Sequence, residues 1–138
     1  MGIIDHSIVT LRIFGDDLIP DNITKLLGST PTDSCIKDQE IIGKATGSIR
    51  RAKTGSWKIR ANPRKSENVE SQIFEIIDNL TNDLSTWSSL SSKYKIDLFC
   101  GVFLKTSNDG LVLSAEALLA LGQRGITLGL DIYDASDD

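Results

Sequence analysis

The chain is poor in the residues from which most metal and nucleophile sites are built. Among its 138 residues there is one histidine, His6, and there are two cysteines, Cys35 and Cys100. A single imidazole excludes any site that needs two. Two isolated cysteines are too few for a disulfide framework and lack the spacing of metal ligands. Cys100 lies in an apolar alternating run, where a buried thiol is expected. Long apolar runs are missing too: no stretch approaches the roughly 18 residues of a membrane span. Met1 to His6 has neither a basic region nor an apolar core, so no secretory leader is expected. His6 also stands where a myristoylation signal needs Ser or Thr. The expected address is the cytoplasm. There is no G-x-S-x-G elbow, and Gly43 to Ser48 lacks the order of a phosphate loop. No internal repeat or low-complexity linker is seen.

What is present is an ordinary globular composition, 40% hydrophobic and 25% charged. The length predicts one domain over 1–138, with a core that needs no staples. The first six residues or so and the acidic end, 134–138, are expected to fray. Fifteen cations against nineteen carboxylates give a net charge of −4, which argues against a uniformly basic nucleic-acid binder. The charge is not evenly spread. From Lys37 to Lys65 nine cations stand against two carboxylates, a surplus of seven. The remainder has six cations and seventeen carboxylates, a deficit of eleven. A basic segment on an acidic body can steer an anionic partner or pair with a second copy.

Residues 7–14 alternate, with Val9, Leu11 and Ile13 on one side and Thr10 and Arg12 on the other, the mark of a half-buried strand. Pro20 opens a helix at its first position, Ile23, Leu26 and Leu27 form its stripe, and Gly28 stops it. Residues 29–40 read as a polar loop, and 41–61 as irregular extended chain ending in a short strand, Trp57 to Ala61. The spacing of Val69, Ile73, Ile76, Ile77, Leu80 and Leu84 predicts one long helix over 66–84, with Glu67 and Glu70 at its positive start. Residues 85–94 give at most a short helical turn, with Trp87 half exposed. Ile96, Leu98, Cys100, Val102 and Leu104 share a strand face. Ser107 to Gly110 reads as a turn and Leu111–Leu113 as a returning hairpin strand. Ser114 caps another helix, stopped by Gly122 or Gly125. Ile126 to Tyr133 is the last strand, with Ile126, Leu128, Leu130 and Ile132 inward. Together these predict an α+β two-layer sandwich, a mainly antiparallel sheet with helices packed on one face.

Several of these pieces, in this order, resemble one family. They are the strand-turn-helix from Leu11 to Gly28, Gly55–Trp57, the helix from about Asn68, the strand at 96–104, Leu113 to Leu118, and Leu121-Gly122 leading to Leu130–Tyr133. The family is catalogued as domain of unknown function 4279, and the resemblance covers roughly residues 7–134. It implies a small bacterial cytosolic α+β domain and carries no activity with it.

Candidate sites come from the residues themselves. Asp16 and Asp17 follow a strand end, where adjacent carboxylates suit a hard cation if Asp97 or Asp131 supplies a third ligand. The plainer reading is a turn whose carboxylates accept from backbone N–H groups. Strand parity puts Thr10, Arg12 and Phe14, then Asp97, Phe99 and Phe103, then Thr127, Asp131 and Tyr133 on the face away from the helices. Arg12 could hold a carboxylate there in bidentate fashion. That face is either a solvated surface with cross-strand ion pairs or a binding face with an aromatic floor. Trp57 suits a buried anchor; it is also counted with the candidate surface. The leading expectation is a non-enzymatic protein-binding module, of immunity or antitoxin-like type in one form. Its candidate surface is Arg12, Arg50, Arg51, Lys53, Trp57, Asp97, Asp131 and Tyr133, and its partner is another protein or a second copy. The alternatives are a metal-assisted or acid–base enzyme on Asp16, Asp17, Asp97 and Asp131, and an RNA-associated domain using the basic segment 44–65. No cofactor and no membrane are expected, and the carboxylates beside the aromatic face disfavour nucleic acid.

Overall fold

The computed structural model describes residues 4–62, 64–65, 68–105 and 111–134. Among them the elements run β1 (Ile4–Gly15), α1 (Pro20–Leu27), β2 (Asp33–Cys35), β3 (Glu40–Ile42), β4 (Ile49–Arg51), β5 (Gly55–Arg60), β6 (Arg64–Lys65), α2 (Val69–Ile77), α3 (Leu84–Lys93), β7 (Lys95–Leu104), α4 (Ala115–Gln123) and β8 (Thr127–Tyr133). One sheet has the order β2-β5-β1-β7-β8, with β6 also pairing β1, and β3 and β4 form a separate two-stranded ladder. All pairings in the main sheet are antiparallel except β7 with β8. This is an α+β fold, as the alternation and helix signals implied.

The helices cover one face. Helix α1 lies over β5, α2 over β1, α3 over β7 and α4 over β8. Between the layers sit Val9, Leu11, Ile13, Trp57, Ile73, Trp87, Leu98 and Cys100, none with measurable exposure. The strand residues among them share one parity, and Ile73 of α2 and Trp87 of α3 meet them from the helical layer, so the period of two sorts the central strands into a dry face and a wet one. Pro20 occupies the first turn of α1, and Gly28 takes a left-handed φ of 81° while its N–H closes on the Thr24 carbonyl at 2.8 Å. The Ser114 hydroxyl accepts from the Ala117 N–H at the start of α4. It is Gly125, at φ 69°, that turns the chain out of α4.

The structure corrects several readings of the sequence. Leu130 and Ile132, expected inward, are exposed on the edge strand β8, and Leu26, expected in the stripe of α1, is exposed as well. The helix expected over 66–84 is two helices. Apolar spacing runs on through Leu80 and Leu84, but α2 ends at its C-cap, Asp78, and the Asp83 carboxylate starts α3 afresh by accepting from Ser85 N–H. Ser66 and Glu67 lie outside the described residues. Residues 84–93 are a full helix, and Trp87 is wholly buried rather than half exposed, its Nε1 donating to the Thr81 carbonyl at 2.8 Å. Leu111–Leu113 form no strand; α4 carries the chain back, so β8 joins β7 in parallel. The expected turn at 107–110 lies outside the described residues, as do residues 135–138. Finally, β1 begins at Ile4, so His6 is a sheet residue rather than part of a frayed end.

Candidate functional site

The face of the sheet away from the helices carries the predicted polar and aromatic residues. Arg12 pairs across the strands with Asp97. Its Nε donates to Asp97 Oδ1 at 2.8 Å and its Nη2 to Oδ2 at 2.7 Å, the bidentate geometry of the strong ion pairs. The guanidinium carbon lies 4.8 Å from the Phe99 ring centre and 5.3 Å from that of Phe14, within cation–π range. The hydrogen bond to Asp97 raises the Arg12 pKa above its ordinary value. Lys58, opposite Arg12 on β5, puts its Nζ 5.6 Å from the Phe14 ring centre.

Further along the same face three rings stack across three strands. His6 and Phe103 are 4.1 Å apart and Phe103 and Tyr133 4.6 Å, each pair within 10° of parallel. The Asp5 carboxylate accepts from His6 Nδ1–H at 2.7 Å, which fixes the tautomer. The Tyr133 hydroxyl donates to Asp131 at 2.6 Å, which raises its pKa. Asp131 therefore shares the face with Arg12 and Asp97 but not their ion pair; it stands opposite Gly101, whereas Asp97 stands opposite Thr127.

The basic residues of the middle segment occupy a different structure. Between β2 and β5 the chain leaves the sheet as an arm, residues 36–54, ending in the β3–β4 ladder. Backbone bonds hold the arm: Glu40 pairs Arg51 and Ile42 pairs Ile49, Asp38 N–H donates to the Ala52 carbonyl at 2.8 Å, and Ala52 N–H to Gln39 at 2.9 Å. Of its residues only Ala52 is buried. Ile36, Ile42 and Ile49 are 48%, 66% and 64% exposed, far more apolar surface than a short self-supporting ladder needs to show. Arg50, Arg51 and Lys53 are all exposed on it. Arg51 Nη2 lies 3.8 Å from Glu40, and among the described residues Arg50 and Lys53 have no ion-pair partner.

The arm and the open face of the sheet enclose a groove of about 560 Å³, lined among others by Phe14, Cys35, Ile42, Arg50, Lys53 and Lys58. Cys35 Sγ lies 3.3 Å from the Ser56 hydroxyl within it. The other thiol, Cys100, is buried on the helix side, where desolvation and then the charge of Asp97 push it up to about 12. Under native conditions at pH 8 Ellman's reagent should therefore titrate one thiol per chain, lost in Cys35→Ser, and two after denaturation. Two fast thiols in the folded protein would refute this arrangement.

Two sequence-derived candidates are not part of this surface. Trp57 points the other way: it is fully buried beneath α1, with Nε1 donating to Thr24 Oγ1 at 3.1 Å, because its strand parity is that of Ile59 rather than Lys58. Asp16 and Asp17 are exposed at the end of β1. Asp16 lies 3.2 Å from Lys37 Nζ, and its carboxyl is held below the usual range by hydrogen bonds from Thr54 and then Lys37. Among the described residues no three His, Cys, Asp or Glu side chains converge on a metal-sized position; Asp97 is committed to Arg12 and Asp131 to Tyr133. Sequence reasoning passed over Lys58 and His6, although the period-two pattern of their strands marks both as facing outward.

The class of protein is thus an α+β domain with one face packed by helices, one face open, and a projecting β-arm. It belongs to the family described as "Domain of unknown function (DUF4279)", which matches residues 5–135. No curated protein and no solved structure matches the chain. No described helix is long and apolar enough to cross a membrane.

Proposed function

We propose that the chain is a non-enzymatic protein-binding module whose recognition surface is the arm, residues 36–54, with the open sheet face beside it. The carrying observation is the arm's composition in its observed setting: three exposed isoleucines beside unmatched Arg50 and Lys53, on an arm that buries only Ala52 among its own residues. Mixed apolar and arginine-rich surface of this kind is what protein interfaces use at their centres. The Arg12–Asp97 pair, flanked by Phe14 and Phe99, gives the adjoining face a fixed shape. One form of this role is neutralisation of a toxin by a compact immunity or antitoxin-like partner, and that form predicts a toxin gene beside the gene for this chain.

Site-specific photocrosslinking in cells of the source organism tests the reading. A benzophenone side chain at position 42 or 49 is expected to give a discrete protein adduct. The same group at Ser85, exposed on α3, should give none, and Arg50→Glu with Arg51→Glu should abolish the arm adduct. Adducts of equal yield from both regions, or none from the arm, would overturn it.

A further inference from the structure

The groove between the arm and the sheet has an unbalanced charge that names its occupant. We infer that it receives an extended, acidic segment of a partner protein, its carboxylates meeting Arg50 and Lys53 and its apolar side chains meeting Ile42 and Phe14. This rests on the protein-binding reading above and adds the chemistry of the partner. The lining carries four cations, Arg50, Arg51, Lys53 and Lys58, against two carboxylates, Asp33 and Glu40. Glu40 lies near Arg51, and Asp33 stands across the strands from Lys58. That leaves Arg50 and Lys53 facing a partly enclosed space without an anion, where like charges repel more strongly than in bulk water.

The groove's volume lies within the range of about 300–1,000 Å³ typical of ligand sites. The β3–β4 ladder has only two strands, so its outer edges offer unpaired backbone groups to an extended chain. A nucleic-acid backbone fits less well. Asp33 and Glu40 would face its phosphates, and exposed Ile42 and Ile49 offer it nothing to pair with. Outside residues 37–65 the chain has a deficit of eleven charges, which would repel a long polyanion but not a short acidic segment.

Fluorescence anisotropy with the full chain decides the matter. The probe is a short fluorescein-labelled peptide alternating glutamate with leucine; the comparison ligands are the same peptide with serine for glutamate and a short oligouridylate. The acidic peptide is expected to bind with micromolar Kd, to protect Cys35 from Ellman's reagent, and to weaken as salt rises. The serine peptide, and the acidic peptide with the Arg50→Glu/Lys53→Glu variant, should bind at least about tenfold more weakly, a loss of about 1.4 kcal/mol. Lys25→Glu, on the far helical layer, should leave Kd unchanged, and both variants should melt like the parent.

Equal affinity for the serine peptide overturns the acidic-partner inference while leaving the protein-binding reading intact. An unchanged Kd in the double variant overturns the placement in the groove. No peptide binding at all overturns the inference, and the arm crosslink then judges the wider reading separately. Tighter binding of the oligouridylate than of any peptide overturns both.

Discussion

Trp57→Ala lowers the unfolding free energy by about 3–5 kcal/mol, the loss expected when a large aromatic is cut from a well-packed core. Trp57 has no exposed surface. On β5 it stands opposite Ile13 of β1, and α1 closes over it, with the indole N–H held by Thr24 Oγ1. The substitution removes the side chain that joins α1 to the sheet and opens a cavity that neither backbone can collapse to fill. In urea, monitored by circular dichroism, the midpoint should fall with an unchanged slope. Trp57→Phe should cost less, since it retains most of the apolar volume and loses the one hydrogen bond. Arg50→Ala, on the exposed arm, should change stability by less than about 0.5 kcal/mol. A loss below about 1 kcal/mol for Trp57→Ala would mean that α1 is not anchored as described.

Trp57 also shows why the sheet was easy to read from sequence and the rest was not. Val9, Leu11 and Ile13, and Ile96 to Val102, alternate cleanly because one face is dry and the other wet, and that contrast is written directly into residue type. The same parity placed Arg12, Asp97, Asp131 and Tyr133 on one face correctly. It does not say which of them touch, because contact depends on register: Asp97 is level with Arg12, whereas Asp131 is level with Gly101. Helix periodicity was less informative. Leu80 and Leu84 extend the apolar spacing of α2 past its end, and only the Asp83 cap marks the new start. Trp87 sits among serines that face water, yet it shares a helical stripe with Leu90 and is buried with it. The arm was illegible for a different reason. Glu40–Ile42 and Ile49–Arg51 bury nothing, so no hydrophobic pattern records them; their ladder is held by backbone hydrogen bonds that any sequence could make.

Gln72→Leu should cost roughly 3 kcal/mol, the second largest effect, although it replaces a polar core residue by an apolar one. Gln72 lies on the inward stripe of α2 between Val69 and Ile73 and has no exposed surface. Its amide N–H₂ donates to the carbonyls of Ser7 and Asn62, both at 3.1 Å, and its Oε1 accepts from the Ser7 hydroxyl. Leucine leaves the buried Ser7 hydroxyl without its acceptor and takes one hydrogen bond from each of the Ser7 and Asn62 carbonyls; a buried orphan costs about 1–3 kcal/mol in isolation, less where the chain or water relaxes to meet it. Ser7→Ala alone removes one donor and should cost about 1 kcal/mol. In the double variant the hydroxyl is no longer orphaned, so the two losses should fall short of additivity by about 1 kcal/mol. Full additivity would show that the pair does not interact. The position carries a structural consequence as well. Ser7 adjoins His6, whose ring opens the stack with Phe103 and Tyr133 on the opposite face. Gln72→Leu should therefore loosen that stack, seen as reduced ring-current shifts of Phe103 and Tyr133. The arm groove lies at the other end of β1, beside Phe14. Affinity for the acidic peptide should hold at temperatures where the variant stays folded, and its loss there would mean that the two ends of the open face act as one surface.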